Sequence, residues 1–239
     1  MATFVLVHGA WHGAWCWFKV IPLLERTGHT VVAVDLPSHG IDRTPIRDVS
    51  LESYAEFVCR VLDACREQVI LVGHSMGGAV ISRSAELRPA RIEKLVYLAA
   101  FLLPNGRTIL EATPPDARAQ TMASLVINED GSAASLKAES VRHMFYADCE
   151  DSDVALARTL LVPQAMAVSV TPLSASDENW GRVPRFYIEC TRDNAIPIEA
   201  QRAMSSRLPC RRVITMETSH SPFLSSPGEL SDHLLQLLT

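Results

Sequence analysis

Short runs of Val, Ile and Leu, bounded by turn residues, recur along the chain. They cover Phe4–Val7, Val31–Val34, Val69–Val72, Leu95–Ala99, Phe186–Ile188 and Val213–Met216. Nearly uninterrupted apolar runs of this length are typical of strands that are buried on both faces, as in a parallel sheet. The pattern therefore predicts a series of buried, mostly parallel strands.

Apolar residues at helical spacing fill the stretches between these runs. The predicted helices cover Ala14–Arg26, Leu51–Glu67, Gly77–Glu86, Pro197–Arg207 and the stretch from Gly228 to the end. Ser50 is a suitable N-cap for the second helix, and Gly28 is a suitable end for the first. Strands that alternate with helices in this way predict an α/β fold with a doubly wound, mostly parallel sheet.

The alternation stops between about Pro104 and Arg182. Pro114–Pro115, an Ala-rich run and an acidic stretch from Asp148 to Asp153 replace the strand patterns there. Because a structureless loop of that length is uncommon in a compact domain, we predict a helical lid over residues 105–182. The lid would be inserted into a core formed by residues 1–104 and 183–239. Its helices are expected at Met122–Ile127, Leu136–Tyr146 and Val154–Met166.

The composition is that of an ordinary globular protein. Of the 239 residues, 48% are hydrophobic and 21% are charged, and the formal net charge is -5. No run of Lys or Arg exceeds the pair Arg211–Arg212, so we expect no nucleic-acid partner. A small molecule is the expected partner, and the sequence is compatible with a homodimer.

The six cysteines show no CxxC pair and no Cys/His cluster with metal-ligand spacing. We therefore predict reduced thiols and no metal site. The N terminus lacks the basic region of a secretion signal, and no stretch reaches the roughly 18 apolar residues that span a membrane. These features favour a cytoplasmic protein that does not contact membranes.

One segment carries the spacing of a catalytic nucleophile. Gly73-His74-Ser75-Met76-Gly77 matches the pattern GxSxG and lies between a predicted strand and a predicted helix. A nucleophile elbow requires this strand-turn-helix context. The tight turn strains the backbone of the serine, and the two glycines avoid collisions with the neighbouring strand and helix. Ser75 is therefore the candidate nucleophile.

A serine hydroxyl needs a base, and in a sheet with this elbow the histidine comes last along the chain. Three histidines follow Ser75. His143 lies in the predicted lid, and His233 belongs to the last helix. His220 follows a predicted strand, at the edge where open α/β sheets carry their sites. We therefore predict that His220 is the base.

The base in turn needs a carboxylate that orients it. Asp193 directly follows a predicted strand and precedes a helix, so it is the candidate acid. The alternative is that Asp193 only caps that helix and that Glu189 or Asp177 serves instead. Asp193 is preferred because Glu189 should still point along the strand and Asp177 lies before it.

An oxyanion hole needs two backbone N–H groups aimed at the developing negative oxygen. An elbow of this kind supplies one N–H after the nucleophile and one from an early strand-to-helix loop. The loop after the first strand reads His8-Gly9-Ala10-Trp11-His12-Gly13, so we assign the two groups to Met76 and Ala10. Gly9 lets the backbone approach a substrate closely.

Three further residues are candidates for substrate contact. His12 fits substrate contact and packing equally well, because it is a loop histidine beside an apolar cleft. Phe145 and Leu160 belong to apolar segments of the lid, which should supply a pocket for the acyl or alcohol part of a substrate. For each of these lid residues, packing of the lid onto the body is an equally good explanation.

The motifs together resemble a known family. Phe4-Val-Leu-Val-His-Gly-Ala-Trp, the Ser75 elbow, Cys190-Thr-Arg-Asp-Asn-Ala-Ile-Pro and Ser219-His220 resemble the hydroxynitrile lyase and methylesterase branch of the α/β-hydrolase superfamily. That branch includes plant methyl salicylate esterases and bacterial carboxylesterases. The resemblance covers nearly the whole core and weakens in the lid. It implies the same triad and the same oxyanion hole as the residues themselves. Because a triad of this kind completes the hydrolysis with water alone, we expect no metal or organic cofactor.

Lyases of this branch carry a Thr after the first loop histidine, a Glu before the nucleophile and a Lys after the triad histidine. Gly9, His74 and Ser221 occupy those positions here. The resemblance therefore favours a serine carboxylesterase that acts on apolar esters, with pyrethroid-like xenobiotic esters among the conceivable substrates. Cyanohydrin cleavage and a non-catalytic small-molecule receptor on the same fold remain the alternatives.

Overall fold

The computed structural model describes residues 1–238. Six parallel strands form one sheet in the order β2-β1-β3-β4-β8-β9. Their bounds are β1 Thr3–Val7, β2 Thr30–Val34, β3 Val69–His74, β4 Ile92–Leu98, β8 Arg185–Cys190 and β9 Arg212–Met216. Each of these strands contains one of the predicted apolar runs, except that the run at Leu95–Ala99 extends one residue past β4. The predicted doubly wound, mostly parallel sheet is confirmed.

A smaller antiparallel sheet lies between β4 and β8 in the chain. Its strands are β5 Leu125–Ile127, β6 Ala133–Leu136 and β7 Gln164–Ala165, in that order. The eleven α-helices of the described residues are α1 Ile21–Arg26, α2 Leu51–Ala64, α3 Gly77–Leu87, α4 Ile109–Ala112, α5 Pro115–Ala123, α6 Ala138–Phe145, α7 Asp151–Leu160, α8 Ala167–Val170, α9 Ile198–Arg207, α10 Pro222–Ser225 and α11 Pro227–Gln236.

The side chains of each central strand alternate between two separate hydrophobic cores. Val5 and Leu71 belong to the core on one face of the sheet, which also contains buried residues of α2 and α3. Phe4 and Ile70 belong to the core on the other face, with buried residues of α1 and α11. Since successive side chains of a strand point to opposite faces, both faces of the sheet are covered, and the central strands β1 and β3 are buried along nearly their whole length.

The ends of the helices follow local chemistry. Ser50 Oγ accepts the N–H of Ser53 at 3.1 Å, and Ser53 Oγ accepts the N–H of Ser50 at 2.9 Å, so the predicted N-cap of α2 is confirmed. Gly28 follows α1 with a φ of 84°, as expected of a glycine after a helix. The last helix ends at Gln236, and Thr239, to which it was predicted to extend, lies outside the described residues.

The helix predicted over residues 14–26 is wrong in its first half. Ala14–Trp17 form only a short 3-10 turn, and α1 begins at Ile21. Pro22 lies in the first turn of α1, where its missing N–H is harmless. The same ring would collide with the carbonyl of Phe18 if the helix continued upstream, which explains the interruption.

Two of the three helices predicted in the segment 105–182, called the insertion from here on, are also wrong in part. Residues 125–127 form β5, because Val126 and Ile127 are β-branched and pair with β6. The helix in this region is α5, which starts at Pro115, where a proline is well tolerated. The helix predicted over residues 154–166 stops at Leu160, ahead of Pro163. The prediction over residues 136–146 agrees with α6.

Candidate active site

Ser75 lies on a sharp turn between β3 and α3. Its φ is 54°, in the left-handed region that non-glycine residues rarely adopt, and its N–H donates to the carbonyl of Leu98 at 3.2 Å. A strained residue of this kind persists only where the surrounding structure holds it. The turn matches the conformation that a nucleophile elbow requires.

Two glycines make the turn sterically possible. A Cβ on Gly73 would lie 2.6 Å from the carbonyl oxygen of Gly77. A Cβ on Gly77 would lie 2.8 Å from the carbonyl oxygen of His8, in the loop after β1. Both distances are well below van der Waals contact, so any side chain would push β3, α3 and the β1 loop apart. The glycines therefore allow these backbones to meet beneath Ser75.

The candidate base and acid form a buried pair. His220 follows β9 and Asp193 follows β8, and these two strands are neighbours in the sheet. Nδ1–H of His220 donates to Oδ2 of Asp193 at 2.7 Å, and both side chains are almost completely shielded from solvent. The hydrogen bond leaves Nε2 as the free nitrogen of the imidazole, which is the tautomer that a general base needs.

Other groups fix the plane of the Asp193 carboxylate. Its Oδ1 accepts the N–H groups of Ala195 and Ile196 at 2.7 and 2.9 Å. Its Oδ2 also accepts Nε2–H of Gln201 at 3.1 Å. Gln201 is fully buried on α9 and was missed from the sequence. The sequence did contain one indication of its role, because Gln201 is a polar residue on the buried face of α9, next to Ala200.

The structure separates Asp193 from the two alternative acids. Glu189 is buried, but its carboxylate accepts the guanidinium of Arg202 at 2.9 Å and the hydroxyl of Thr215 at 2.9 Å. Asp177 is exposed in the segment that precedes β8. Neither side chain bonds His220 among the described residues. Asp193 also bonds the N–H groups of two residues ahead of α9, so orienting His220 and shaping this turn are compatible roles.

Ala10 and Met76 line the same cavity as Ser75. Within residues 1–238, neither backbone N–H donates to another group. An oxyanion bound in the cavity could accept hydrogen bonds from these two unpaired N–H groups. Gly9 lies just behind them, and a Cβ there would be 2.8 Å from Cβ of Ser75. Gly9 thus allows the β1 loop to approach the elbow.

The cavity is mainly apolar, and most of its lining comes from the insertion. Its apolar lining includes Phe101, Ile109, Leu110, Met122, Leu125, Met144, Phe145, Met166 and Ile196. The ring of Phe145 also lies 5.4 Å from the His220 ring, centre to centre. Leu160 ends α7 and is not among the described residues that line the cavity. Of the two lid residues predicted to contact substrate, the structure therefore brings only Phe145 to the cavity.

His12 is buried behind the cavity wall and does not line it. Its Nδ1–H donates to the carbonyl of Ala10 at 2.7 Å, and its Nε2 accepts the hydroxyl of Tyr146 at 2.6 Å. Burial lowers the pKa of His12 to about 3, so its ring is neutral. With both nitrogens engaged, His12 holds the Ala10 peptide in place and connects it to Tyr146 of the insertion.

His74 and the insertion connect the loops that carry Ser75, Asp193 and His220. Nε2–H of His74 donates to the carbonyl of His220 at 2.9 Å, which links the elbow to the loop of the candidate base. From the insertion, Asp148 accepts the N–H of Ser219 at 2.7 Å and also its hydroxyl. The side chain of Asn194 donates to the carbonyl of His143 at 2.8 Å. The loops of His220 and Asp193 are therefore both attached to the insertion.

Four buried histidines should make the protein sensitive to mild acid. Burial lowers the pKa of His8, His12, His39 and His74, whereas the same side chains titrate near 6.5 in the unfolded chain. Below that value the unfolded state binds more protons, so stability is present above pH 6.5 and is lost as the pH falls. We expect the free energy of unfolding to fall by about 2 to 3 kcal/mol between about pH 7 and pH 6.

Urea denaturation at a series of pH values measures this loss. His12→Asn and His74→Asn remove one titrating group each, so each variant should show a shallower pH dependence than the parent. A stability that is unchanged over this range, or variants with the same slope as the parent, would contradict the expectation.

The described residues offer no obvious site for an ion. No group of three or more His, Cys, Asp or Glu side chains among residues 1–238 is arranged to hold a metal. The six cysteines are free thiols, and four of them are buried. None of the helices in the described part of the chain has the length and apolarity to cross a membrane.

A parallel sheet with a strained serine after β3, and an acid and a histidine after β8 and β9, defines a hydrolase-type α/β site. The sequence pattern of the alpha/beta hydrolase family matches residues 4–233, so the chain belongs to that family. Among curated proteins, Methylesterase 2 of Arabidopsis thaliana is 36% identical, with 98% of this chain and 95% of the relative aligned.

Two other comparisons agree with this assignment. Putative methylesterase 11 of Arabidopsis thaliana, a chloroplastic protein, is 38% identical over 98% of this chain, which spans only 63% of that longer relative. Among solved structures, a pyrethroid hydrolase from Sphingobium faniae JZ-2 superposes with a TM-score of 0.89 at 29% identity. The superposition covers 99% of this chain and 96% of that structure. The chain thus falls in the methylesterase branch of the family.

Proposed function

We propose that the protein is a serine carboxylesterase that hydrolyses apolar carboxylic esters through an acyl-enzyme intermediate. One observation carries the proposal. Ser75 opens on the same cavity as Ala10 and Met76, and the N–H groups of those two residues are unpaired in the described structure. The methylesterases and the pyrethroid hydrolase to which the chain is similar support the same reaction.

In the proposed mechanism, Ser75 Oγ attacks the ester carbonyl while Nε2 of His220 takes the hydroxyl proton. The N–H groups of Ala10 and Met76 stabilise the oxyanion. The tetrahedral species collapses, and His220 returns the proton to the departing alcohol. Water then attacks the acyl-enzyme with His220 as base, which releases the acid and restores Ser75. Asp193 stabilises the imidazolium at both stages.

The lining of the cavity supports apolar substrates. Phe101, Ile109, Met144 and Phe145 line the cavity on which Ser75 opens, so the acyl or alcohol part of the ester would bury hydrocarbon surface. The likeness to a pyrethroid hydrolase makes bulky, apolar esters with a hydrophobic alcohol the substrate class to test first.

The positions that distinguish lyases support hydrolysis. Ser221 takes the place of the lyase lysine, and it is fully buried, with no partner for its hydroxyl in the described structure. No cation is therefore present there to stabilise a departing cyanide. Gly9 leaves no side-chain hydroxyl next to Ala10, so the N–H groups of Ala10 and Met76 can donate to an ester oxygen.

The proposal is tested with purified protein and p-nitrophenyl butyrate. We expect a burst of p-nitrophenolate equal to the enzyme concentration under rapid mixing, followed by steady turnover, and a butyryl adduct on the Ser75 peptide by mass spectrometry. A pyrethroid such as permethrin then tests the substrate class. Binding of esters without burst or turnover would contradict the proposal, as would cyanide release from mandelonitrile that exceeds ester hydrolysis.

A further inference from the structure

Arg118 is the only charged residue among the described residues that line the cavity. It lies on α5, and Thr121 and Met122, three and four positions later, line the cavity as well. Residues at this spacing share one face of a helix. The face of α5 that is directed at the cavity therefore places a guanidinium beside mainly apolar side chains.

The guanidinium has almost no partner within the protein. Its one hydrogen bond in the described structure runs from Nη1 to the carbonyl of Leu110 at 3.5 Å, and no carboxylate pairs with it. Two other arginines of the insertion do pair with acids, since Arg107 contacts Glu111 at 3.6 Å and Arg142 bonds Asp151. Arg118 thus keeps most of its five donors available.

Arg118 is placed near the mouth of the cavity. Leu110 and Met122 are 36% and 43% exposed, while Ser75 is 9% exposed, so the cavity leads inward from these two side chains to the serine. Arg118 is half-buried between solvent and the apolar interior. The hydroxyls of Thr113 and Thr121 donate to carbonyls of their own helices, so they do not compete as donors.

We propose that Arg118 binds a carboxylate carried by the substrate at the end remote from the scissile ester. The preferred substrates would then be esters with an apolar middle and a second, acidic group, such as half-esters of dicarboxylic acids. A guanidinium at the mouth of a mainly apolar cavity can pair with a planar carboxylate through two parallel hydrogen bonds. Since the net charge of the chain is -5, general attraction would not favour anions, so the preference would be local. The inference rests on the proposed esterase function.

The test compares matched charged and uncharged esters. On the acyl side, these are mono-p-nitrophenyl esters of glutaric, adipic and suberic acid, each paired with its methyl ester at the free carboxyl. On the alcohol side, the butyrate ester of p-hydroxybenzoate is paired with that of its methyl ester. For at least one pair, Arg118→Gln should lower kcat/KM for the charged ester about tenfold and leave the uncharged partner unchanged.

Two variants make the result specific. Arg118→Lys should keep part of the preference because it keeps the charge. Arg158→Gln is the matched control, since Arg158 is also in the insertion, bonds only the carbonyl of Ala138 in the described structure and does not line the cavity. Arg158→Gln should leave kcat/KM unchanged for the charged and the uncharged ester of every pair.

Equal effects of Arg118→Gln on charged and uncharged esters in every pair would overturn the inference while esterase activity stands. Absence of turnover of every ester by the parent protein would overturn the proposed function, and the inference with it.

Discussion

Ser75→Ala should lower kcat for p-nitrophenyl butyrate by at least about 10³-fold and leave substrate binding nearly unchanged. The hydroxyl oxygen of Ser75 is the atom that attacks in the proposed mechanism, and the variant has no nucleophile on the turn between β3 and α3 to replace it. Removing a nucleophile of this kind leaves only the catalysis that the oxyanion hole and binding supply. The strained turn should persist, because Gly73 and Gly77, which permit it, are unchanged. Stopped-flow measurement of the burst and steady-state kinetics check both expectations.

The double variant Ser75→Ala/His220→Ala should be no slower than Ser75→Ala alone, because the two residues act as one unit. Ser206→Ala serves as the control, since Ser206 is exposed on α9. Full activity in Ser75→Ala would refute the mechanism. An additive loss in the double variant would mean that His220 acts independently of Ser75.

The positions of Ser75, Asp193 and His220 in the fold could be predicted because each of them follows a strand. The apolar runs of this sheet are short but nearly uninterrupted and are bounded by turn residues, so the sequence locates their ends well. All strands of such a sheet end at one edge, so Ser75 and the His220–Asp193 pair were expected near one another. The apolar pattern locates the strands because the sheet is stabilised by the buried side chains of the strands themselves.

The structure of the insertion could be predicted less well from the sequence than that of the sheet. β5 has only three residues and exists because it pairs with β6 and packs at the cavity, so its local sequence does not determine it. The roles of Arg118 and Gln201 likewise depend on contacts with residues that are distant in the sequence, so the local sequence does not reveal them. A half-buried arginine is recognised only once the absence of a carboxylate beside it is known in three dimensions.

The roles of the histidines could not be predicted from the sequence either. For His12 the sequence allowed both substrate contact and packing, and only the structure shows that both of its ring nitrogens are hydrogen-bonded, to Ala10 and Tyr146. Burial and hydrogen bonding decide between the two roles, and neither can be inferred from residue spacing. His74 likewise marks an esterase by resemblance, while its bond to the carbonyl of His220 is a property of the fold.

Asp193→Asn should lower kcat by about 10³- to 10⁴-fold without unfolding the protein, because it forces His220 into the wrong tautomer. The N–H groups of Ala195 and Ile196 require an acceptor, so the amide oxygen must take the place of Oδ1. The amide nitrogen then faces Nδ1 of His220 as a donor. The imidazole has to carry its proton on Nε2 and can no longer accept one from Ser75.

Gln201 cannot relieve this conflict by turning its amide. Its Oε1 accepts the N–H of Cys190 at 3.1 Å, and its Nε2 donates to the carbonyl of Ile196 at 2.7 Å as well as to Asp193. Rotation would place two acceptors against each other at Ile196 and two donors at Cys190. The network around the acid is therefore directional, and an asparagine cannot be accommodated with His220 in the active tautomer.

The two acids that the sequence left open provide matched controls. Asp177→Asn changes an exposed carboxylate, and Glu189→Gln changes one that is bonded to Arg202 and Thr215. Both variants should retain kcat within about twofold, although Glu189→Gln should lower the melting temperature because it weakens a buried charged hydrogen bond. If either variant lost as much kcat as Asp193→Asn, or if Asp193→Asn kept its activity, the assignment of the acid would fail. Steady-state kinetics and thermal melts of the three variants, measured side by side, separate catalytic from structural loss.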